Sequence, residues 1–186
     1  HPTDFIRAMR QAWEQEESPA AKAALTQVLV NSRMCAIGKR PICQDTGIVN
    51  VLISVGMDVR WDAELSLEDM INEGVRRGYT HPDNVLRGSV LSDPDGLRAN
   101  TKDNTPAVIH TKIVAGDTVE IEVAAKGGGS EAKAKFAMLN PSDSVVDWIL
   151  SVTPSMGAGW CPPGILGVGI GGTPEKAMLL AKESLM

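Results

Sequence analysis

The chain has only three cysteines among 186 residues, and an odd number excludes a complete set of internal disulfides. No apolar run approaches the ~20 residues that span a bilayer, so no membrane partner is expected. There is also no basic run: 18 Lys and Arg stand against 23 Asp and Glu, a net charge of −5. Phosphate binding needs clustered cations, so nucleic acid is not an expected partner. The chain holds no Cys-x-x-Cys pair of the kind zinc sites use. Nor does it hold the Gly-x-x-x-x-Gly-Lys-Ser/Thr loop that cradles nucleotide phosphates. Internal repeats and low-complexity tracts are missing as well; no secretory leader is expected, and a reducing, cytoplasmic compartment is the expectation.

What is present is globular. A hydrophobic fraction of 43% and a charged fraction of 22% suit one domain, residues 1–186, able to bury its own core. The chain opens on His1 and stops inside a helical pattern at Met186, so it reads as part of a longer one.

Residues 2–16 are helix-prone, with Phe5, Ile6 and Met9 on one side. Ser18-Pro19 is a helix start, and Leu25, Val28, Leu29, Ser32 and Cys35 then follow helical spacing, which places Cys35 on a buried stripe. Ile48-Val49-Asn50-Val51-Leu52-Ile53-Ser54-Val55 reads as a strand. Ser66-Leu67-Glu68-Asp69 opens a helix to about Gly78, with Leu67, Met70, Ile71 and Val75 inward. Residues 79–106 are rich in Asn, Asp, Pro and Gly and read as irregular, a length usually reserved for function. Two strands follow near 107–113 and 118–125, the second alternating Val119, Ile121 and Val123 against Glu120 and Glu122, which predicts one buried face and one wet. Gly116-Asp117 between them predicts a hairpin. Pro141 is expected to open another helix and Thr173-Pro174 a last one. The fold class predicted is α+β, a small mixed β-sheet from residues near 48–55, 107–125 and 165–170, flanked by α-helices.

Chemistry concentrates in the loops. Pro41-Ile42-Cys43-Gln44-Asp45-Thr46-Gly47 carries a thiol, an amide, a carboxylate and a hydroxyl on four consecutive residues between a proline and a glycine. Lys126-Gly127-Gly128-Gly129-Ser130 follows a strand directly, and glycines let backbone N–H groups approach an anion closely. Cys161 stands in the rigid setting Trp160-Cys161-Pro162-Pro163-Gly164, outside any apolar period. Gly167, Gly169 and Gly172 fit a dinucleotide pattern, but helix rather than strand follows them. The residues alone leave several readings open. These are a zinc site, a cysteine nucleophile served by His81 or His110, an iron–sulfur cluster, and a non-catalytic module that binds a carboxylate or supports assembly.

The segments Ile42-Cys43-Gln44-Asp45-Thr46-Gly47, Asn84-Val85-Leu86-Arg87, Lys126 to Ser130, Trp160 to Gly164 and Ile170-Gly171-Gly172-Thr173 occur in this order in class I fumarases. They are similar to those of the related tartrate dehydratase alpha subunits. The chain resembles the N-terminal, cluster-binding portion of such an iron–sulfur hydro-lyase. The resemblance implies reversible hydration of fumarate to (S)-malate at a [4Fe-4S] cluster, with L(+)-tartrate or mesaconate as alternative substrates. It implies Cys43 and Cys161 as two of three cluster ligands, the third lying outside this chain. By the same resemblance Asp45 is the acid–base group, and Gln44, Asp45, Arg87 and Gly129 meet the dicarboxylate substrate. A C-terminal domain or beta subunit and a homodimer are the implied partners, and residues 1–186 alone are expected to be inactive.

Overall fold

The computed structural model describes residues 1–43, 47–161 and 164–186. It divides into two compact units, His1–Gln44 and Asp45–Met186.

The first unit is a helical hairpin. Helix α1 spans Thr3–Gln15 and α2 spans Pro19–Gly38. The turn between them works as its residue types dictate: Ser18 caps α2 by accepting from the Ala21 N–H, and Pro19 takes the first helical position. Trp13 Nε1 donates to Thr26 Oγ1 at 2.9 Å, and the Lys22 ammonium lies 4.6 Å from the Trp13 ring centroid. The predicted stripe is the shielded one, with Ser32 buried and Leu25, Val28, Leu29 and Cys35 half-buried.

The second unit is built on β1 (Ile48–Gly56). Helix α3 (Leu67–Thr80) follows, capped by Ser66, whose Oγ accepts from the Asp69 N–H at 3.1 Å. A short antiparallel ladder, β2 (Leu91–Ser92) with β3 (Ala99–Asn100), interrupts the stretch predicted to be irregular. Strands β4 (Val108–Val114) and β5 (Val119–Lys126) come next, then the single helical turn α4 (Gly128–Glu131). Helices α5 (Val145–Val152) and α6 (Pro174–Glu183) complete the unit, with a 3₁₀ turn at Pro154–Met156. Helix α5 starts at its Ser144 cap rather than at Pro141, because the Ser144 hydroxyl supplies the acceptor for Asp147 N–H that Pro141 cannot.

The main sheet has the order β4-β1-β5, with β1 parallel to β4 and antiparallel to β5. This overturns the predicted hairpin of β4 with β5. Its reason lies in β1, whose nearly continuous apolar run is best satisfied between two neighbours. The 115–118 turn therefore widens around the end of β1, which it caps: Gly56 N–H donates to Thr118 O, Met57 N–H to Val114 O and Asp58 N–H to Gly116 O. Parallel pairing of β1 with β4 requires a long crossover, and α3 with the loop after it provides one.

Val49, Val51, Ile53 and Val55 fill the core on one face of β1, closed by Leu67, Ile71, Val75 and Tyr79 of α3 and by Ile109 of β4. The core stops there. Val119, Ile121 and Val123 of β5, expected to be buried, are 38%, 53% and 63% exposed, because the residues that close the core come from α3 and β4. The opposite face of β1 meets α6, where Lys182 Nζ donates to the buried Asn50 Oδ1 at 3.1 Å and to Glu131 Oε2 at 2.7 Å. Lys112 of β4 pairs with Glu183 at 2.7 Å on the same side. The α+β class and the helix-flanked mixed sheet are as predicted. Residues 165–170 are not a strand: Gly167 and Gly169 lie so close to α6 that a Cβ would sit 2.2 Å from Ala181 O and 1.9 Å from Ala177 O. Those glycines serve helix packing, which accounts for the dinucleotide-like pattern.

Candidate active site

Topology brings four motif segments of the second unit, those of Gly47, Arg87, Gly129 and Cys161, to one end of the sheet. Because β4 runs parallel to β1 and β5 antiparallel, the entries to β1 and β4 and the exit from β5 share an end. Gly47 enters β1 there, residues 101–107 enter β4, and Lys126 leads out of β5 into the glycines. Gly47 adopts φ +59, and a Cβ on it would lie 1.6 Å from Lys126 O and 2.6 Å from Gly127 Cα. Only glycine fits that approach.

The glycine loop meets the second cysteine loop in turn. A Cβ on Gly129 would lie 2.6 Å from Gly159 O, and the Lys133 side chain lies over Gly159. Cys161 is exposed, with φ +61, and its N–H donates to Ala158 O at 3.0 Å. The Trp160 ring lies against Gly164. The thiol is thus displayed on a tight turn rather than packed.

Arg87 is exposed on a segment fixed by neighbours on both sides. Asn84 Nδ2 donates to Tyr79 O at 2.8 Å and to Leu86 O at 2.7 Å, while its Oδ1 accepts from Leu86 N–H at 2.8 Å. Downstream, Ser89 and Val90 N–H donate to Asn104 Oδ1 at 2.7 and 3.0 Å. Asn104 Nδ2 in turn donates to Gly47 O at 3.0 Å. Asn104 has no exposed surface and a φ of +59.

In the first unit, Cys43 is exposed. The two residues before it are held by α2: Asn31 Nδ2 donates to Ile42 O at 3.2 Å and the Cys35 thiol to Pro41 O at 3.4 Å. Cys35 therefore acts as a half-buried structural thiol, as its place on the stripe predicted. Gln44 and Asp45 lie outside the described residues, as do Thr46, Pro162 and Pro163. Among the described residues no three His, Cys, Asp or Glu side chains form a group that could hold a metal ion.

Sequence reasoning missed Asn104 and Lys133. Asn104 had a signal, since Asp103-Asn104-Thr105-Pro106 concentrates residues that favour turns and left-handed backbone. Lys133 had none, its position depending on the fold of two separate loops.

Two carboxylates support this end and the α6 face. Asp103 is held below its ordinary 3.8, first by the Thr105 N–H and then by the Thr105 hydroxyl and Arg76. Glu183 is held below 4.5, first by its hydrogen bond from Lys112. A lowered folded pKa contributes stability that is complete above the unfolded value and is lost as pH falls through the folded one. Thermal midpoints should therefore be flat above pH ~5 and fall progressively below pH ~4.5, more steeply than in Lys112→Met. Coincident acid profiles for the two proteins would remove Glu183 as a contributor.

The fumarate hydratase (Fumerase) family model matches residues 1–186. A Methanocaldococcus jannaschii protein named "Putative L(+)-tartrate dehydratase subunit alpha" is 30% identical over 192 residues, covering 100% of this chain and 66% of that protein. L(+)-tartrate dehydratase subunit alpha of Escherichia coli, strains UTI89 and K12, is 26% identical over 188 residues, covering 100% of this chain and 61% of each relative. The chain thus spans a little under two thirds of the length of the curated relatives it matches. A match from the first residue to the last places the chain in the fumarate hydratase (Fumerase) family.

Proposed function

We propose that this chain is the part of a hydro-lyase that presents two thiolates and most of a dicarboxylate pocket, and that the intact protein reversibly hydrates fumarate to (S)-malate. The observation that carries this reading is the adjacency of Gly47, the Arg87 segment, Gly129 and the Cys161 loop at one end of one sheet. Sheet pairing alone brings Gly47 to the Lys126 end of β5; the arrival of the Arg87 and Cys161 segments at the same end is what favours a site.

In this reading Arg87 holds one substrate carboxylate, and the Gly129 backbone approaches the bound acid where no side chain intrudes. Lys133 over Gly159 adds positive charge, which a net-negative protein needs wherever it binds a dianion. Gln44 orients the substrate and Asp45 transfers the proton.

A [4Fe-4S] cluster fits the donors present: Cys43 and Cys161 are both exposed and borne on loops, and Cys35 is half-buried on α2. When bound through Cys43, Cys161 and a third ligand outside this chain, it would supply a Lewis-acidic iron beside the substrate. The rest of the enzyme, a C-terminal domain or a beta subunit, would cover apolar surface such as Ile121, Val123 and Met138, and the whole would work as a homodimer in the cytoplasm. L(+)-tartrate is the alternative substrate, named in the relatives, and mesaconate a second one.

The test is anaerobic purification of the intact protein, with iron and sulfide assays and product analysis after incubation with each of the three acids. Water addition to or removal from one of them is expected, with no turnover by residues 1–186 alone. A folded, colourless, iron-free intact protein without turnover would refute the proposal. Turnover by residues 1–186 alone would refute the division of the site.

A further inference from the structure

We infer that Asn104 is a positioning residue that holds the entry to β1 at Gly47 in register with the loop that carries the candidate carboxylate-binding cation, Arg87. This rests on the reading proposed above. The amide reaches two loops, each two residues downstream of a candidate residue. Gly47, whose carbonyl accepts from Nδ2 at 3.0 Å, follows Asp45 by two positions; Ser89, whose N–H donates to Oδ1 at 2.7 Å, follows Arg87 by two. Val90 N–H adds a second donor to Oδ1 at 3.0 Å. One planar side chain therefore spans both loops with fixed geometry.

The platform beneath it is rigid. Asp103 accepts from the Thr105 N–H at 3.1 Å, from the Thr105 hydroxyl at 2.8 Å and from Arg76 of α3 at 3.2 Å. Ala107 N–H donates to Asn72 Oδ1 of α3 at 2.8 Å. Asn104 is thus anchored on both flanks to the helix that closes the core. With no exposed surface, it cannot touch substrate, and any effect on the reaction must pass through the loops. Misplacement of a reacting group by about 1 Å costs roughly 10²-fold in rate, so a clamp of this kind affects chemistry as well as stability.

Asn104→Ala and Asn104→Asp in the intact protein separate the two arms. Alanine releases both. It should raise amide hydrogen exchange at Ser89 and Val90 at least about tenfold and lower kcat/KM about 10²-fold. Aspartate keeps the acceptor for Ser89 and Val90 but, when ionised, turns an oxygen toward Gly47 O. Exchange at those amides should stay near the parent's while kcat falls and KM stays within about threefold. Should alanine fail to fold, the aspartate variant decides alone. A folded variant with kcat and KM within twofold of the parent reduces Asn104 to a stabilising residue and overturns the inference. A parent with no turnover on any of the three acids sinks the lyase reading instead; unchanged exchange in Asn104→Ala would then overturn the clamp independently.

Discussion

Gly47→Ala should be the most damaging single-methyl change in the second unit. The residue sits at φ +59, where any Cβ costs about 1–2 kcal/mol. The added carbon would also fall 1.6 Å from Lys126 O, so backbone rather than a flexible side chain must move. Overpacking against a fixed neighbour adds about 1–3 kcal/mol. Together these remove a large fraction of the ~5–15 kcal/mol that holds a domain. Gly74→Ala is the control: it lies within α3 with nothing within 4 Å of the added carbon, and should stabilise by about 0.5–1 kcal/mol. Urea titration of both variants reads the contrast. Equal midpoints would show that the entry to β1 yields more easily than its geometry allows.

The second large effect concerns the thiols. Cys161→Ser in the intact protein keeps a small side chain on a turn with φ +61, so the fold should be retained. It replaces a soft thiolate with a hydroxyl that iron–sulfur centres do not favour. Changes to groups that merely support a metal ligand cost about 10–100-fold in affinity, so loss of a ligand should cost at least that in affinity and lower the bound iron and sulfide. Turnover should fall with them. Cys35→Ser should leave iron content within about twofold, since that thiol is engaged with Pro41 O on the helical hairpin. Equal iron in the Cys161→Ser and parent proteins would remove Cys161 from the ligand set, whatever happens to activity.

Much of the local structure was legible in the residues. Ser18, Ser66 and the stripe through Cys35 specify their helices by capping and period, and β1 is named by its own hydrophobicity. Pairing was not legible. Alternation in 119–125 reports a two-faced strand but says nothing of which strand lies beside it or whether its apolar face is covered. Glycine pattern misled at 165–170, where close packing on α6 and strand formation leave the same composition. For the candidate site, the proposed residues Cys43, Arg87, Gly129 and Cys161 stood out through their motifs. Asn104 did not, because its importance is that of a junction. Its neighbours Asp103, Thr105 and Pro106 mark a turn, but nothing in them tells that the residue joins positions 47 and 89 by hydrogen bonds.

The central place of β1 has a consequence for biosynthesis. Both of its neighbours come later in the chain, and the second ends at Lys126, about 70 residues after β1 does. At roughly 5–20 residues per second, a ribosome leaves the most oily strand of the protein with two raw margins for several seconds. Such margins invite pairing with other nascent chains. The shortest piece of this unit that can shield them must run through Lys126, and messages cut before that codon should yield inclusion bodies.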